Sequence, residues 1–265
     1  MSTLTPVLTL SLTDAGVGID SATVRFSCDS ATWTDFEAFQ ISKNNFNVRS
    51  GLNGCSAADS VKTVFAQARD SLLNLGQAAA TSDFVLDTTP PVVTGLVSDA
   101  VPTKSKTWTW DSSDATDVFR FSIDQLAAGT PSGEYGSLKT ATQSAGDGTF
   151  FLHVQSKDAL GNESSVTTVS AVLDNTAPTV TLTNLPNNPT RSSATSVVVS
   201  GEGVTHYKVK IDEGDFGVET PIATPVTFTG LSSGDHVLYV NGRDSAGNYQ
   251  ERAFTSFVWT IDITL

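Results

Sequence analysis

The sequence predicts an all-β protein built from three tandem β-sandwich units, because two phrases repeat along its 265 residues. The first phrase is a basic residue, an aspartate and a turn rich in glycine and asparagine, with Asp70, Asp158 and Asp244 spaced by 88 and 86 positions. The second is Leu-Asp followed shortly by proline, at 86–91 and 173–178. A fixed period of this length indicates a copied structural unit. We therefore divide the chain into units 1–87, 88–174 and 175–265.

Short runs of alternating apolar and polar residues predict the strands inside each unit. They are rich in Val, Thr and Phe and lie between turns rich in Gly, Asn, Asp and Ser, as half-buried strands do. The clearest runs are 106–110, 118–123, 150–154 and 165–172 in unit two, and 196–199, 206–211, 236–240 and 253–259 in unit three. About seven such strands per unit indicate an immunoglobulin-like sandwich of two antiparallel sheets. Large core contributions are expected from Trp33, Trp108 or Trp110, and Trp259.

The proline phrases predict how the units connect. Proline cannot donate to a strand ladder and favours extended geometry in the residue before it, so each phrase should end one strand and start the next edge strand. Residues 6–10 match the segment that begins at the linker proline, and we expect the first strand there. Because the linkers are short, neighbouring units should touch and form a semi-rigid, elongated array.

The aspartate phrases predict tight turns within the last hairpin of each unit. Asp158 and Asp244 should accept backbone N–H groups of the following turn, while glycine adopts positive φ and asparagine tolerates it. In unit one the equivalent stretch runs from Asp70 to Gly76, so Gly76 is the expected turn glycine. A ligand-binding loop is the alternative interpretation.

Composition limits the classes of partner. Lys and Arg number 15 against 28 Asp and Glu, giving a net charge of -13, which disfavours nucleic acid and anionic membranes as partners. No apolar stretch approaches the ~20 residues of a membrane-spanning helix, and no export signal is visible. Both ends of the sequence resemble cuts within a longer protein, since the last unit closes where earlier units lead into a linker.

The two cysteines, Cys28 and Cys55, lie in unit one and could form a disulfide. In an oxidising compartment a bridge of this loop size would stabilise the unit by about 3 kcal/mol in the chain-entropy model. Two unrelated buried thiols are the alternative. Two lone thiols cannot supply the four ligands of a structural zinc site.

Unit three carries a family resemblance. Its segments 204–214, 219–221 and 231–240, followed by Arg243-Asp-Ser-Ala-Gly-Asn248, resemble bacterial immunoglobulin-like repeats of large exported surface proteins. The resemblance implies an extracellular or cell-surface location. Asp174-Asn-Thr-Ala-Pro178 also resembles the linker of cadherin-type arrays, which implies interdomain calcium at Asp174 and, by position, Asp87. Too few oxygen ligands can be assigned, so we expect no cofactor and keep calcium as the alternative.

Catalytic chemistry finds little support in the sequence. His153, His206 and His236 lie on predicted strands, and a catalytic base also needs a nucleophile and an orienting partner. We therefore expect structural histidines, no catalytic, cofactor or metal residues, and no enzymatic activity.

Three aromatic residues in turn-like stretches are candidates for ligand contact. Trp33, Tyr135 and Phe216 could stack on the apolar face of a sugar ring, or each could anchor its own loop to the sandwich. We expect the second role.

These observations together predict a non-enzymatic stalk or fibre segment of a bacterial surface or secreted repeat protein. The expected partners are other copies of the module and, at exposed loops, a host, prey or matrix protein or a glycan. Two alternatives are an accessory carbohydrate-binding or spacer region of an exported enzyme and a phage fibre component.

Overall fold

The structure is a computed structural model that describes residues 5–13, 23–250 and 255–263, and these residues form an all-β chain as predicted. Every strand pair joins two strands of the same predicted unit. We call the units module 1 (1–87), module 2 (88–174) and module 3 (175–265). Within the described ranges, no helix is long and apolar enough to span a membrane. Residues 253 and 254 of the last predicted strand lie outside these ranges.

Module 1 contains eight short strands within its described part. They are β1 (Leu8–Thr9), β2 (Thr23–Ser27), β3 (Glu37–Ala38), β4 (Ser42–Lys43), β5 (Ser60–Lys62), β6 (Phe65–Arg69), β7 (Ala79–Ala80) and β8 (Phe84–Leu86). One sheet has the order β3-β2-β6-β7, while β1 pairs with β4 and β5 with β8. The stretch 57–75 contains two strands, β5 and β6, followed by a turn.

Module 2 also has one four-stranded sheet and two further strand pairs, and its longest strands exceed those of module 1. They are β9 (Val93–Thr94), β10 (Asp99–Thr103), β11 (Lys106–Thr109), β12 (Asp111–Ser112), β13 (Val118–Asp124), β14 (Thr140–Gln143), β15 (Gly148–Lys157) and β16 (Thr167–Leu173). The larger sheet has the order β10-β16-β15-β13, and β11 pairs with β14 and β12 with β9 on the other side of the sandwich.

Module 3 is two clear sheets. Its strands are β17 (Thr181–Thr183), β18 (Thr195–Ser200), β19 (His206–Ile211), β20 (Thr220–Pro221), β21 (Val226–Phe228), β22 (Gly234–Arg243) and β23 (Thr255–Ile261). The sheet orders are β17-β18-β21 and β20-β19-β22-β23. Inward-facing His236, Leu238 and Val240 alternate along β22 with less buried residues, which is the period of two expected for a strand with one face on a core.

One strand pair departs from the expected antiparallel sheets. β10 runs parallel to β16, with Thr103 beside Leu173. After β9 the chain crosses from one sheet to the other, so β10 reaches the edge of the second sheet in the same direction as β16. A single parallel bridge between Thr190 and Ile261 repeats the arrangement in module 3.

The first strand, β1, lies within residues 6–10 as predicted, but it pairs differently from the strands that follow the linkers. In modules 2 and 3 the strand after the linker proline pairs within its own module, β9 with β12 and β17 with β18. In module 1 the strand after Pro6 pairs instead with β4, as β18 pairs with β21. The sequence match around Pro6 therefore does not carry an equivalent strand pairing.

Three separate hydrophobic clusters form the cores. Trp108 and Trp110 are both buried in module 2, and Trp259 is fully buried in module 3. Trp33 is only half-buried and is absent from the module 1 cluster, which is built around Phe26 instead. The expectation that Trp33 is a core residue is wrong because its ring lies outside the sandwich, against Arg25.

Candidate functional site

The three aspartate turns share one set of hydrogen bonds. In each turn the carboxylate accepts the N–H of the asparagine four residues later at 2.8 Å and its side-chain amide at 2.7 or 2.8 Å. The aspartate N–H donates to the carbonyl of the same asparagine at 3.1 Å. The pairs are Asp70 with Asn74, Asp158 with Asn162, and Asp244 with Asn248. These contacts confirm the predicted turn structure, and the Asn74 amide lowers the pKa of Asp70.

The turn of module 1 differs from the prediction in its glycine. Gly161 and Gly247 adopt left-handed φ values of +95° and +91°, but the same position in module 1 is Leu73, with φ of +69°. In each of the three turns an isolated β-bridge joins two residues that are six positions apart. These bridges establish that Leu73 occupies the position of the two glycines. The expectation that Gly76 is the turn glycine is therefore wrong, because Gly76 lies beyond the bend.

The turn asparagine also reaches the linker that precedes its own module. Asn162 Nδ2 donates to the carbonyl of Asp87 at 3.1 Å, and Asn248 Nδ2 donates to the carbonyl of Asp174 at 2.9 Å. A side-chain amide has two N–H donors, so one serves the turn and the other the neighbouring linker. The sequence pattern did not reveal this role, because the tolerance of asparagine for a tight bend already explains its presence in the turn.

An aspartate of the preceding module binds the first linker from the other side. Asp59 accepts the N–H of Thr88 at 3.0 Å and the hydroxyl of Thr89 at 2.7 Å. These bonds, the one from the Thr89 hydroxyl first, lower the pKa of Asp59. Arg49 donates to the Thr88 hydroxyl and lies 3.6 Å from the Asp59 carboxylate.

The second linker repeats this arrangement. Asp147 accepts the N–H of Asn175 and, at 2.8 Å, the hydroxyl of Thr176. The Asn175 N–H is the main cause of the lowered pKa of Asp147. Each linker is thus bound by an aspartate of the module before it and by an asparagine of the module after it.

The linker aspartates considered for calcium have local hydrogen bonds. Asp87 accepts the N–H of Thr89 at 2.9 Å, and Asp174 accepts the N–H of Thr176 at 3.0 Å. Among the residues that the structure describes, no group of three or more His, Cys, Asp or Glu side chains could hold a metal ion. Interdomain calcium therefore stays the untested alternative, without an assigned ligand set.

An open cleft of about 340 Å³ lies beside the second linker and includes Asp174, Glu202 and Asp244. Both oxygens of the buried Asp244 carboxylate accept hydrogen bonds from Asn248. The turn therefore accounts for this buried carboxylate without a ligand.

The three aromatic candidates each lie beneath a cation on a sheet face. The distances from cation to ring centroid are 4.7 Å for Arg25 over Trp33, 4.8 Å for Arg120 over Tyr135 and 5.8 Å for Lys210 over Phe216. All three rings are half-buried. A cation on a ring leaves at most the opposite face open to a sugar, so these contacts favour the loop-anchoring role. Ligand binding by these residues stays a prediction.

The basic residue of the turn phrase takes part in the same stacking. Arg69 lies 4.1 Å from the centroid of Phe36, and Lys157 lies 5.2 Å from that of Tyr135. In module 3 the corresponding Arg243 pairs with Glu219 at 3.4 Å. The repeated Arg or Lys thus holds an aromatic ring or an acidic partner at the sheet face, a role that the sequence pattern did not reveal.

A second cation on the neighbouring strand completes the stack in modules 1 and 2. Arg25 lies opposite Gln67 and donates to its side-chain oxygen at 2.6 Å, while Arg120 lies opposite Gln155 and donates to it at 2.7 Å. Tyr135 is therefore enclosed by Arg120 and Lys157, and burial raises the pKa of its hydroxyl.

The histidines make contacts within their own modules. His153 Nδ1 lies 2.8 Å from the hydroxyl of Thr168, and His206 Nδ1 lies 3.1 Å from the hydroxyl of Thr205. His236 lies beside a carboxylate of module 3. These contacts are those expected for structural histidines.

Cys28 and Cys55 form a disulfide in module 1. The adjacent Asp29 accepts hydrogen bonds from the hydroxyl and N–H of Thr32, and these lower its pKa well below the ordinary range. A Cβ at Gly54 would lie 2.1 Å from the Asp29 carboxylate, so the bridge and this loop pack closely. The disulfide is consistent with an oxidising, extracellular environment.

Comparison with known proteins finds similar solved structures only. No protein-family model and no curated protein sequence matches the chain. The FN1–FN3 domains of chicken CNTN1 are 14% identical over 96% of this chain and 93% of that chain, with a TM-score of 0.35. Fibronectin(III)-like modules of Clostridium thermocellum CbhA are 18% identical over 64% of this chain and 94% of that chain, with a TM-score of 0.34. Since both scores are below 0.5, we derive the tandem sandwich fold from this chain's own strand pairing.

Proposed function

We propose that this chain is a non-enzymatic spacer, a stalk or fibre segment of an exported bacterial repeat protein. The observation that carries the proposal is the repeated junction, in which Asn162 and Asn248 donate to the carbonyls of Asp87 and Asp174. A contact that recurs at both linkers supports a defined angle between modules rather than one reaction centre.

The linkers support a spacer because they are bound on both sides. Asp59 and Asp147 hold the linker residues to the module before, and the turn asparagines hold them to the module after. A linker with these bonds loses much of the freedom of a flexible chain, so the separation of the outer modules should vary little.

The partners follow from surface and charge. The net charge of -13 opposes binding to nucleic acid. The proposed partners are other copies of the module and, at exposed loops, a host, prey or matrix protein or a glycan. The disulfide supports a secreted or cell-surface location. The stacked cations on Trp33, Tyr135 and Phe216 give the carbohydrate-binding alternative no specific support.

Single-molecule energy transfer between dyes on modules 1 and 3 tests the spacer. The dilute wild-type chain should be a monomer with one long, narrow distance distribution. Asn162→Ala together with Asn248→Ala should broaden that distribution, because each change removes the donor to a linker carbonyl. Asn74→Ala is the matched control. It alters the equivalent turn of module 1, whose asparagine contacts neither linker. A broad wild-type distribution, or no effect of the double variant, would reject the proposal.

A further inference from the structure

The turn of module 1 presents a small apolar surface at the end of the module. Leu72, Leu73 and Leu75 leave 65%, 66% and 53% of their surface exposed. Asn74, between them, is exposed as well. We call these four residues the module 1 turn face. Large exposed apolar side chains that lie next to one another mark interaction sites more often than scattered ones do.

The equivalent turns of modules 2 and 3 are covered. Asp244 and Asn248 are buried, and Leu160 and Asn162 are half-buried, whereas residues 71–76 are all exposed. Asn74 binds its own Asp70 just as Asn162 and Asn248 bind theirs. The module 1 turn face therefore carries the same asparagine as the two junction turns but is exposed in the described part of the chain.

The conformation of Leu73 supports a role beyond folding. Its φ of +69° is a left-handed value that is unfavourable for a bulky side chain, and the other two modules have glycine at this position. An exposed leucine regains little of that free energy by burial within its own module. Strain of this kind in an exposed loop points to a function of the surface.

We propose that the module 1 turn face docks the C-terminal end of module 3 of a second copy, head to tail. Ile261-Asp262 ends module 3 as Leu86-Asp87 ends module 1, so the carbonyl of Asp262 can take the place that the Asp87 carbonyl has at the first junction. The apolar counterpart of the leucines is Ile263, which is 49% exposed.

The proposed contact continues the pattern of the two junctions within the chain. At each of those junctions a turn asparagine of one module donates to the carbonyl of the aspartate that ends the module before it. Because the two surfaces of one chain differ, the contact between copies is heterologous and extends into open rows of molecules rather than closed dimers. The inference rests on the proposed spacer function, but the spacer can be correct without it, since the junctions within one chain are tested separately.

Sedimentation of the full chain tests the docking. We expect the weight-average mass to rise from that of the 27.8 kDa monomer by about twofold towards ~1 mM, the weak range for contacts of this size. The buffer should contain about 0.15 M salt, which screens the repulsion between acidic copies. Three variants should each keep the chain monomeric or nearly so. They are the double variant Leu72→Ser/Leu75→Ser and the single variants Asn74→Ala and Ile263→Asp. Val218→Ser, which changes an 85% exposed residue elsewhere, should associate like the wild type.

Mixing the defective chains identifies the direction of the contact. The leucine variant retains an intact module 3 end, and Ile263→Asp retains an intact module 1 turn face, so an equal mixture should form dimers and nothing longer. Leu73→Gly should reduce association while raising the unfolding midpoint of module 1, which separates lost docking from lost folding. A wild type that stays monomeric, turn variants that associate normally, or a mixture without dimers would overturn the proposal.

Discussion

The imidazole of His236 has hydrogen-bond acceptors on both sides. Its Nδ1 lies 2.9 Å from the carboxylate of Asp212, and its Nε2 lies 3.0 Å from the carbonyl of Ser232. Since neither acceptor can donate, both ring nitrogens are best satisfied by the protonated ring. The Ser232 carbonyl and then the Asp212 carboxylate raise the pKa of His236. Burial opposes ionisation of Asp212, but the Val237 N–H and His236 lower its pKa overall.

The His236–Asp212 pair predicts that the stability of module 3 depends on pH. The raised pKa of His236 means that its contribution is complete below its ordinary 6.5 and is lost as pH rises through the folded value. The lowered pKa of Asp212 means that its contribution is complete above its ordinary 3.8 and is lost as pH falls through the folded value. Module 3 should therefore be most stable between about pH 4 and 6.5, and less stable at about pH 8.

Hydrogen exchange of the β22 and β23 amides measures this effect in the intact chain. After correction for the intrinsic pH dependence of exchange, these amides should be less protected at about pH 8 than at about pH 6. The His236→Gln variant should show no such difference in protection. His206→Gln changes another histidine of the same module and should leave it in place. A wild-type module 3 equally protected at both pH values would contradict the prediction.

At the scale of the strands, the sheet face carries ordered stacks of cations and rings. Arg120 on β13 and Lys157 on β15 enclose Tyr135 from neighbouring strands. Glu163 lies within 3.6 Å of Arg120 and 3.3 Å of Lys157, so the two cations share one acidic partner. The stack therefore connects β13, β15 and the loop that contains Tyr135.

Replacing Tyr135 by leucine tests the stack. The substitution keeps an apolar side chain but removes the ring face, and module 2 should lose about 1 kcal/mol of unfolding free energy at this partly exposed site. Leu138→Ala, at an exposed position of the same loop, should change stability little. Unfolding in denaturant with exchange detected on β13 and β15 provides the measurement. A variant of unchanged stability that had lost binding to a polysaccharide would favour the glycan role instead.

At the scale of the whole molecule, the three cores are separate. Each hydrophobic cluster takes its residues from one module, and the linkers join modules through hydrogen bonds rather than through a shared core. The modules should therefore unfold as distinct units that are coupled weakly at the junctions.

The disulfide provides a test of this independence. Cys28→Ser with Cys55→Ser should lower the unfolding free energy of module 1 by about 3 kcal/mol, the value expected for a loop of this length. The exchange protection of β15 and β22 should not change, because their cores lie in modules 2 and 3. Loss of protection in all three modules at once would show a single cooperative unit.

The sequence by itself determined the number of modules, most of the strands and the bonding of the turn aspartates. These features depend on alternation, proline and hydrogen bonds between residues a few positions apart, which a linear pattern records directly. Only the tertiary structure decided that Asn162 and Asn248 face the preceding linker, that Leu73 occupies a glycine position, and that cations cover the candidate aromatic rings. Each of these depends on the direction in which strands pack and on side chains brought together from distant positions, which no spacing along the chain specifies.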